Sequence, residues 1–242
     1  MTKKRSNLIF YFGITLMALG AVGLTAAAFF AIIGLPVFVI GIILVLISKK
    51  PMKQKTVPIV LFIVGIVAFW PIWRKVNSIG PEVFLIPDDY RGKVNVIYKD
   101  GCGISLKKGK EGMVYEIPDD GLLLLNNKQK FGFLDQTFYL VDEKGYRTEI
   151  PKMNVRDFNE EWSVSKNPNE PPRDKLGVFH SGRTGGKGAL IDAEGHETNT
   201  ENKYTFQEFY VATYNDLSDR FNYKYQREFD SIREAKVKKC NQ

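Results

Sequence analysis

Reactive side chains are scarce in this sequence. Its 242 residues include two cysteines, Cys102 and Cys240, and two histidines, His180 and His196. Metal sites draw on several N, S or O ligands at fitting spacing. Neither C-x-x-C, H-x-x-x-H nor H-E-x-x-H occurs, so the sequence points to no metal site and to no cofactor. The nucleophile elbow G-x-S-x-G is also missing, which leaves a Cys102/His180 pair without any motif behind it. Acid is absent from residues 1–77, and charge of either sign is absent from Leu8 to Ile47.

That uncharged run is what the rest of the chain is organised around. As one helix it would be roughly 60 Å long, about twice the hydrocarbon thickness of a bilayer. It therefore predicts two spans, at about 8–28 and 32–48, with Gly34 and Pro36 near the turn between them. Gly13, Gly20 and Gly23, with Ala18 and Ala21, suit close helix contact in lipid. A third run, 57–73, carries Pro58 in its first turn and Trp70 and Trp73 at its far end, with Pro71 fraying the last turn.

Basic residues set the orientation. Lys3, Lys4 and Arg5 precede the first span, and Lys49, Lys50, Lys53 and Lys55 separate the second from the third. Only Arg74 and Lys75 follow the third. An N-terminus inside puts seven of these charges in the cytoplasm and two outside, so the positive-inside rule places the bulk of the chain outside. Lys3 to Arg5 with Ala26-Ala27-Ala28 also fit a cleaved signal peptide, in which case two spans would remain and the domain would still be exported.

The formal charge of +7 is a topology signal. Nine of the 34 basic residues lie in 1–77, and the remaining 25 face 27 acids, so nothing supports nucleic-acid binding. Outside the cytoplasm a disulfide is permitted, but two cysteines do not establish one, and Cys240 falls in an expected loose tail.

After residue 78 the pattern is of short strands with Gly, Pro and Asp turns. Strands are expected at 82–86, 93–98, 113–117, 122–125, 136–141, 146–150, 175–180, 189–191 and 204–213, with a hairpin at Asp142-Glu-Lys-Gly145. Pro151 to Asp174 reads as a long loop with a short helix near 155–162. Ile86-Pro87-Asp88-Asp89 recurs as Ile117-Pro118-Asp119-Asp120. This fits a repeat, and it fits still better one turn chemistry used twice, with Pro presetting φ and Asp bonding its own backbone. A helix over 215–239 closes the chain. Thr213 and Asp216 form its capping box, and Leu217, Phe221, Tyr225, Phe229 and Ile232 form one stripe.

Gly92 to Tyr98, with Gly112 to Gly121, resembles the prealbumin-like sandwich of carboxypeptidase regulatory domains. Val83 to Val94, together with Glu208 to Thr213, is similar to a bacterial family of membrane-anchored domains of unknown function, over most of 80–216. That resemblance implies no activity and no catalytic residues.

The expected architecture is thus an N-terminal α-helical membrane region of three spans (1–77), a mainly-β antiparallel sandwich outside the cytoplasm (78–214) and a C-terminal amphipathic helix packed on it (215–242). The place is the bacterial plasma (inner) membrane, with the N-terminus cytoplasmic. Partners are the lipid bilayer and proteins of the cell envelope. The expected role is a binding or envelope-interaction module. An extracytoplasmic hydrolase using His180 and the acidic turns is the alternative, as is an accessory subunit of a transporter or sensor. Candidate binding residues are His180, Arg183 and Lys187, in His180-Ser-Gly-Arg-Thr-Gly-Gly-Lys-Gly188. A Gly-rich loop with two cations suits an anion, although Ser181 and Gly188 stand where a P-loop needs Gly and Ser or Thr. Asp88/Asp89 and Asp119/Asp120 read as turn residues rather than calcium ligands or a glycosidase pair.

Overall fold

A computed structural model of the chain describes residues 2–26, 28–99, 101–188, 190–191, 197–198 and 203–240. It divides into two units, Met1–Ser78 and Ile79–Gln242.

The first unit holds α1 (Lys3–Ala26), α2 (Ala28–Ile47) and α3 (Met52–Val76), all three long and apolar enough to cross a membrane. In α1 the buried positions are Ser6, Phe10, Gly13, Met17 and Gly20. In α2 they are Gly34, Phe38, Gly41 and Val45, followed by Ser48. Steps alternating between four and three give a seam of period 3.5, which keeps two helices in contact at a shallow crossing angle. Glycine lets the backbones meet. A Cβ on Gly20 would sit 2.5 Å from the Phe38 nitrogen, and one on Gly41 would sit 2.7 Å from the Gly13 carbonyl oxygen. The Lys49 N–H donates to the Ser6 hydroxyl at 2.7 Å and ties the open end of the hairpin.

Two boundaries differ from expectation. Pro36 lies inside α2, which already begins at Ala28, and position 27 lies outside the described residues. Gly34 does not break the helix but packs against the backbone of Gly20 and Gly23. Likewise α3 runs through Pro71 to Val76 rather than fraying there, because a proline removes one helical hydrogen bond without removing its neighbours.

The second unit is a sandwich of two five-stranded sheets. Its strands are β1 (Ser78–Pro87), β2 (Gly92–Tyr98), β3 (Lys107–Lys108), β4 (Met113–Glu116), β5 (Leu122–Leu125), β6 (Phe133–Val141), β7 (Arg147–Ile150), β8 (Lys152–Met153) and β9 (Gly177–Lys187). The short β10 (Leu190–Ile191) and β11 (Glu197–Thr198) pair with each other, and β12 (Tyr204–Ala212) is the last strand. One sheet has the order β3-β4-β1-β6-β7 and the other β5-β2-β12-β9-β8.

The expected antiparallel pairing is corrected here: the sheets are mixed. The Ile-Pro-Asp-Asp turns are the reason. Each carries the chain from one sheet across to the other, so each strand–turn–strand unit is an arch. The two arches stack, with β1 parallel to β4 (Phe84 opposite Tyr115) and β2 parallel to β5 (Asn95 opposite Leu122). The repeated tetrapeptide is therefore both one turn chemistry and a two-copy structural repeat. Contacts between β1 and β6 keep a constant register, with Gln136 on Glu82 and Phe138 stacked on Phe84, so β6 runs in the same direction as β1.

Phe84, Phe138 and Phe209 fill the space between the sheets with stacked and edge-on contacts at 4.8, 5.4 and 5.0 Å. Each fully buried ring contributes about 1.5–3 kcal/mol relative to exposure. The outer face of the β12 sheet is covered by α4 (Tyr214–Asp219) and α5 (Tyr223–Lys239). A single helix was expected, but it breaks at 220–222, where the Asn222 side chain caps α5 by accepting from the Lys224 and Tyr225 N–H groups. The Thr213/Asp216 capping box is present on α4. The buried stripe of α5 is Phe229, Arg233 and Val237, while Ile232 is exposed. Cys240 is not in a loose tail: it is disulfide-bonded to Cys102, with Cα atoms 5.8 Å apart.

Candidate functional site

Because β1 and β4 are parallel and in register, their two turns lie side by side. The Pro87 carbonyl accepts from the Tyr90 N–H at 3.0 Å, and the Pro118 carbonyl accepts from the Gly121 N–H at 2.8 Å. The β6–β7 hairpin closes in from the other side, with the Asp88 N–H donating to the Val141 carbonyl at 3.0 Å. Together they form an open cleft of about 920 Å³ that gathers Asp88, Asp89, Glu116, Asp119, Asp142 and Glu143, with Lys144 at its rim. Such a cleft favours cationic groups. Among the described residues, no three His, Cys, Asp or Glu side chains are grouped to hold a metal ion. Asp120 turns away from the cleft: it accepts from Lys236 of α5 at 2.5 Å and from the Leu122 N–H at 2.9 Å.

The Gly-rich stretch expected to be a loop is the second half of β9, paired with β12. Arg183 opposes Glu208 and Phe179 opposes Tyr210, so three residues of β9 bulge out against Phe209 alone. His180 starts the bulge at φ 58°, the left-handed region, and Gly182 follows at φ 84°. A non-glycine residue held there costs about 1–2 kcal/mol. The His180 ring meets Tyr210 edge-on at 5.9 Å. It lines a shallow depression of about 360 Å³ with Lys152, Asn154, Asp157 and Ser181. Burial lowers its pKa, the Arg183 charge lowers it further, and Glu208 opposes both. Burial also pushes the Tyr210 hydroxyl up to about 12, reinforced by Glu208.

Arg183 and Lys187 lie on the same strand and face. Arg183 stands 4.0 Å from Glu208, and Lys187 stands 3.3 Å from Glu234 of α5. Both side chains stay about half exposed. The acidic turns do not line the His180 depression, and His180 does not line the acidic cleft. His196 lies outside the described residues.

Sequence reading missed the charged lattice beneath α5. Lys93, on β2 and almost fully buried, lies 3.2 Å from both Glu208 and Asp230. Its backbone N–H donates to the Tyr225 hydroxyl at 2.9 Å, and its carbonyl accepts from the Tyr90 hydroxyl. Arg233, also buried, donates to Asn95 at 2.8 Å and Asp230 at 2.8 Å and lies over the Phe206 ring at 4.2 Å. The available signal was the spacing of four that places Arg233 between Phe229 and Val237 on the buried stripe. A second polar group sits between the sheets: Glu82 accepts from the Tyr115 hydroxyl at 2.6 Å and from Gln136 at 2.8 Å. Both lattices explain why buried charge persists here, since each charged group has a partner.

Comparison with known proteins adds one decisive match. The family of unknown function DUF6843 matches residues 79–221, more than half of the chain. The chain belongs to that family. The DUF6843 region contains both arches, the acidic cleft and the His180 bulge. It ends at Phe221, before α5 and Cys240. The sequence matches no curated protein. Among solved structures, a candidate lipoprotein from Bacillus anthracis is similar at 17% identity and a TM-score of 0.42, over 66% of this chain and 96% of that one. The prealbumin-like resemblance gains no support from these matches.

Proposed function

We propose that this DUF6843 protein is a multi-pass protein of the bacterial plasma membrane. Its N-terminus is cytoplasmic, and its sandwich works outside the cytoplasm as a binding or envelope-interaction module. The observation that carries this reading is the Cys102–Cys240 pair. Disulfides form and persist in oxidising compartments and are rare in the cytoplasm. The uneven distribution of lysine and arginine around the three helices supports the same orientation independently.

On this reading His180, Arg183 and Lys187 form the β9 face that contacts an anionic partner group. The shared face of Arg183 and Lys187, their half-exposed cations and the place of His180 at the start of the adjoining bulge support the assignment. Alkaline phosphatase fused after residue 78 is expected to be active, and protease added to spheroplasts is expected to digest the sandwich. An inactive fusion together with a protected domain would reverse the orientation.

A further inference from the structure

The near-neutral sandwich hides a separation of charge along its strands. The acidic cleft sits at the end of the sandwich where β1 finishes. At the opposite end, where β1 begins, two loops carry lysines. Met113 opposes Glu82 and Lys108 opposes Met113, which puts the β3–β4 hairpin, with Lys107, Lys108 and Lys110, beside the start of β1. The register of β6 on β1 puts Phe133 beside Ile79, so the loop before it, with Lys128 and Lys130, is at the same end.

The two loops are joined. Asn126 Oδ1 accepts from the Gly101 N–H at 2.8 Å, and Asn127 Oδ1 accepts from the Leu106 N–H at 3.4 Å. All five lysines are exposed, and among the described residues none has an acidic partner. The acid of the hairpin, Glu111, pairs with Arg147 at 3.3 Å, and Asp135 is the exposed carboxylate closest in sequence to the second loop.

Between these lysines the chain exposes large apolar side chains. Phe131 is 74% exposed, Ile104 58%, Leu134 40% and Phe133 38%. Aromatic and aliphatic tips beside lysines are the composition of segments that settle into the headgroup layer of anionic membranes. The covalent chain favours that surface over a soluble partner. β1 starts two residues after the end of α3, and two extended residues span about 7 Å. This end of the sandwich is therefore tethered within reach of the bilayer surface if α3 crosses it.

We infer that the 104–112 and 127–134 loops form a lipid-contacting rim. Phe131 and Phe133 enter the headgroup layer, and Lys107, Lys108, Lys110, Lys128 and Lys130 pair with anionic lipid phosphates. The inference rests on membrane attachment through α3 and names the lipid chemistry that the attached domain reads. Docking of this rim positions the acidic cleft at the end of the sandwich away from the membrane.

The test is hydrogen–deuterium exchange on the full chain in nanodiscs of neutral phosphatidylcholine, with or without added phosphatidylglycerol. Each lysine held at an anionic surface strengthens attachment about fivefold. Amides of 104–112 and 127–134 are expected to exchange at least about fivefold more slowly in the anionic discs. The turn at 87–91 should not change. Reversing all five lysines, K107E/K108E/K110E/K128E/K130E, should remove the difference while the Cys102–Cys240 pair and core protection persist.

Equal rates in the two lipids would overturn the inference. So would protection that survives charge reversal, or protection that appears only when membrane proteins are added. A chain that fails to enter the discs would instead remove the anchoring reading itself. A reversed orientation would show in spheroplasts and leave the disc result standing.

Discussion

Replacing Cys240 with serine opens a loop whose ends are 138 residues apart in sequence. In the chain-entropy account, closing a loop of that size destabilises the unfolded state by about 5 kcal/mol, and measured disulfides typically contribute about 2–4 kcal/mol. The folded state should change little. Phe229 and Val237 stay buried, Arg233 keeps Asn95 at 2.8 Å, and Lys236 keeps the Leu122 carbonyl at 2.8 Å. The loss therefore falls on the unfolded ensemble, and the helix remains docked. For a domain of this size 1 kcal/mol shifts Tm by about 2–4 °C, so a fall of roughly 10 °C is expected. The assay is thermal unfolding of the full chain in detergent, followed by circular dichroism, with and without reductant. Reductant should lower the Tm of the native sequence to that of Cys240→Ser and leave Cys240→Ser unchanged. If both cysteines of rapidly quenched cells react with a maleimide before reduction, or if reductant leaves the native Tm in place, the pairing and the compartment inferred from it are both wrong.

Further expectations follow from single sites. Gly20→Leu drives a side chain into the Phe38 backbone, where even a Cβ would lie 2.5 Å from the nitrogen. The α1–α2 hairpin should separate, read as loss of a cysteine crosslink engineered between the two helices, whereas Gly65→Leu on α3, with nothing within 4 Å, should keep it. Lys93→Met leaves Glu208 and Asp230 beside an apolar chain, yet Asp230 retains Arg233 at 2.8 Å. The cost should be about 1–3 kcal/mol by denaturant titration, below the 3–5 kcal/mol of a fully orphaned buried charge. His180 has a pKa lowered by burial and then by Arg183, so the folded protein binds its proton less readily than the unfolded chain. Its stabilising contribution is complete above the unfolded value of about 6.5 and is lost as pH falls through that value toward the lowered one. His180→Asn, which tolerates the same left-handed backbone, should flatten the acid side of a Tm-against-pH curve.

The helices were legible because an uncharged apolar run of that length marks helices long and apolar enough to cross a membrane. Their ends were not, since by sequence Pro36 lies near a turn and Pro71 frays an end, whereas in the fold neighbouring backbone hydrogen bonds hold the helix through both. The strands were mostly found by alternation and turn residues, but their partners were not. Ile86-Pro-Asp-Asp89 and Ile117-Pro-Asp-Asp120 show that a turn occurs, not whether it returns the chain to the same sheet or carries it to the opposite one. Parallel pairing follows only from the latter. The Gly-rich stretch after His180 was read as a loop because glycine disfavours strands in isolation. In place, Gly185 and Gly186 leave room for Phe206 and the Tyr204 carbonyl of β12. Lys93 and Arg233 were invisible as buried residues because their partners, Asp230 and Asn95, are more than 130 positions away in sequence.

The way β1 enters the sandwich also has a mechanical side. It is an inner strand, held between β4 and β6, and the registered contacts of β6 give it the same direction as β4, parallel to β1. A pull on the N-terminal end of β1 directed along the strand would slide it lengthwise against two neighbours at once. All of its lateral hydrogen bonds would then have to stretch together, whereas a peeled edge strand loses them one by one. A load on the tether would meet its stiffest resistance at the first strand of the domain, before it reached the turns at the far end.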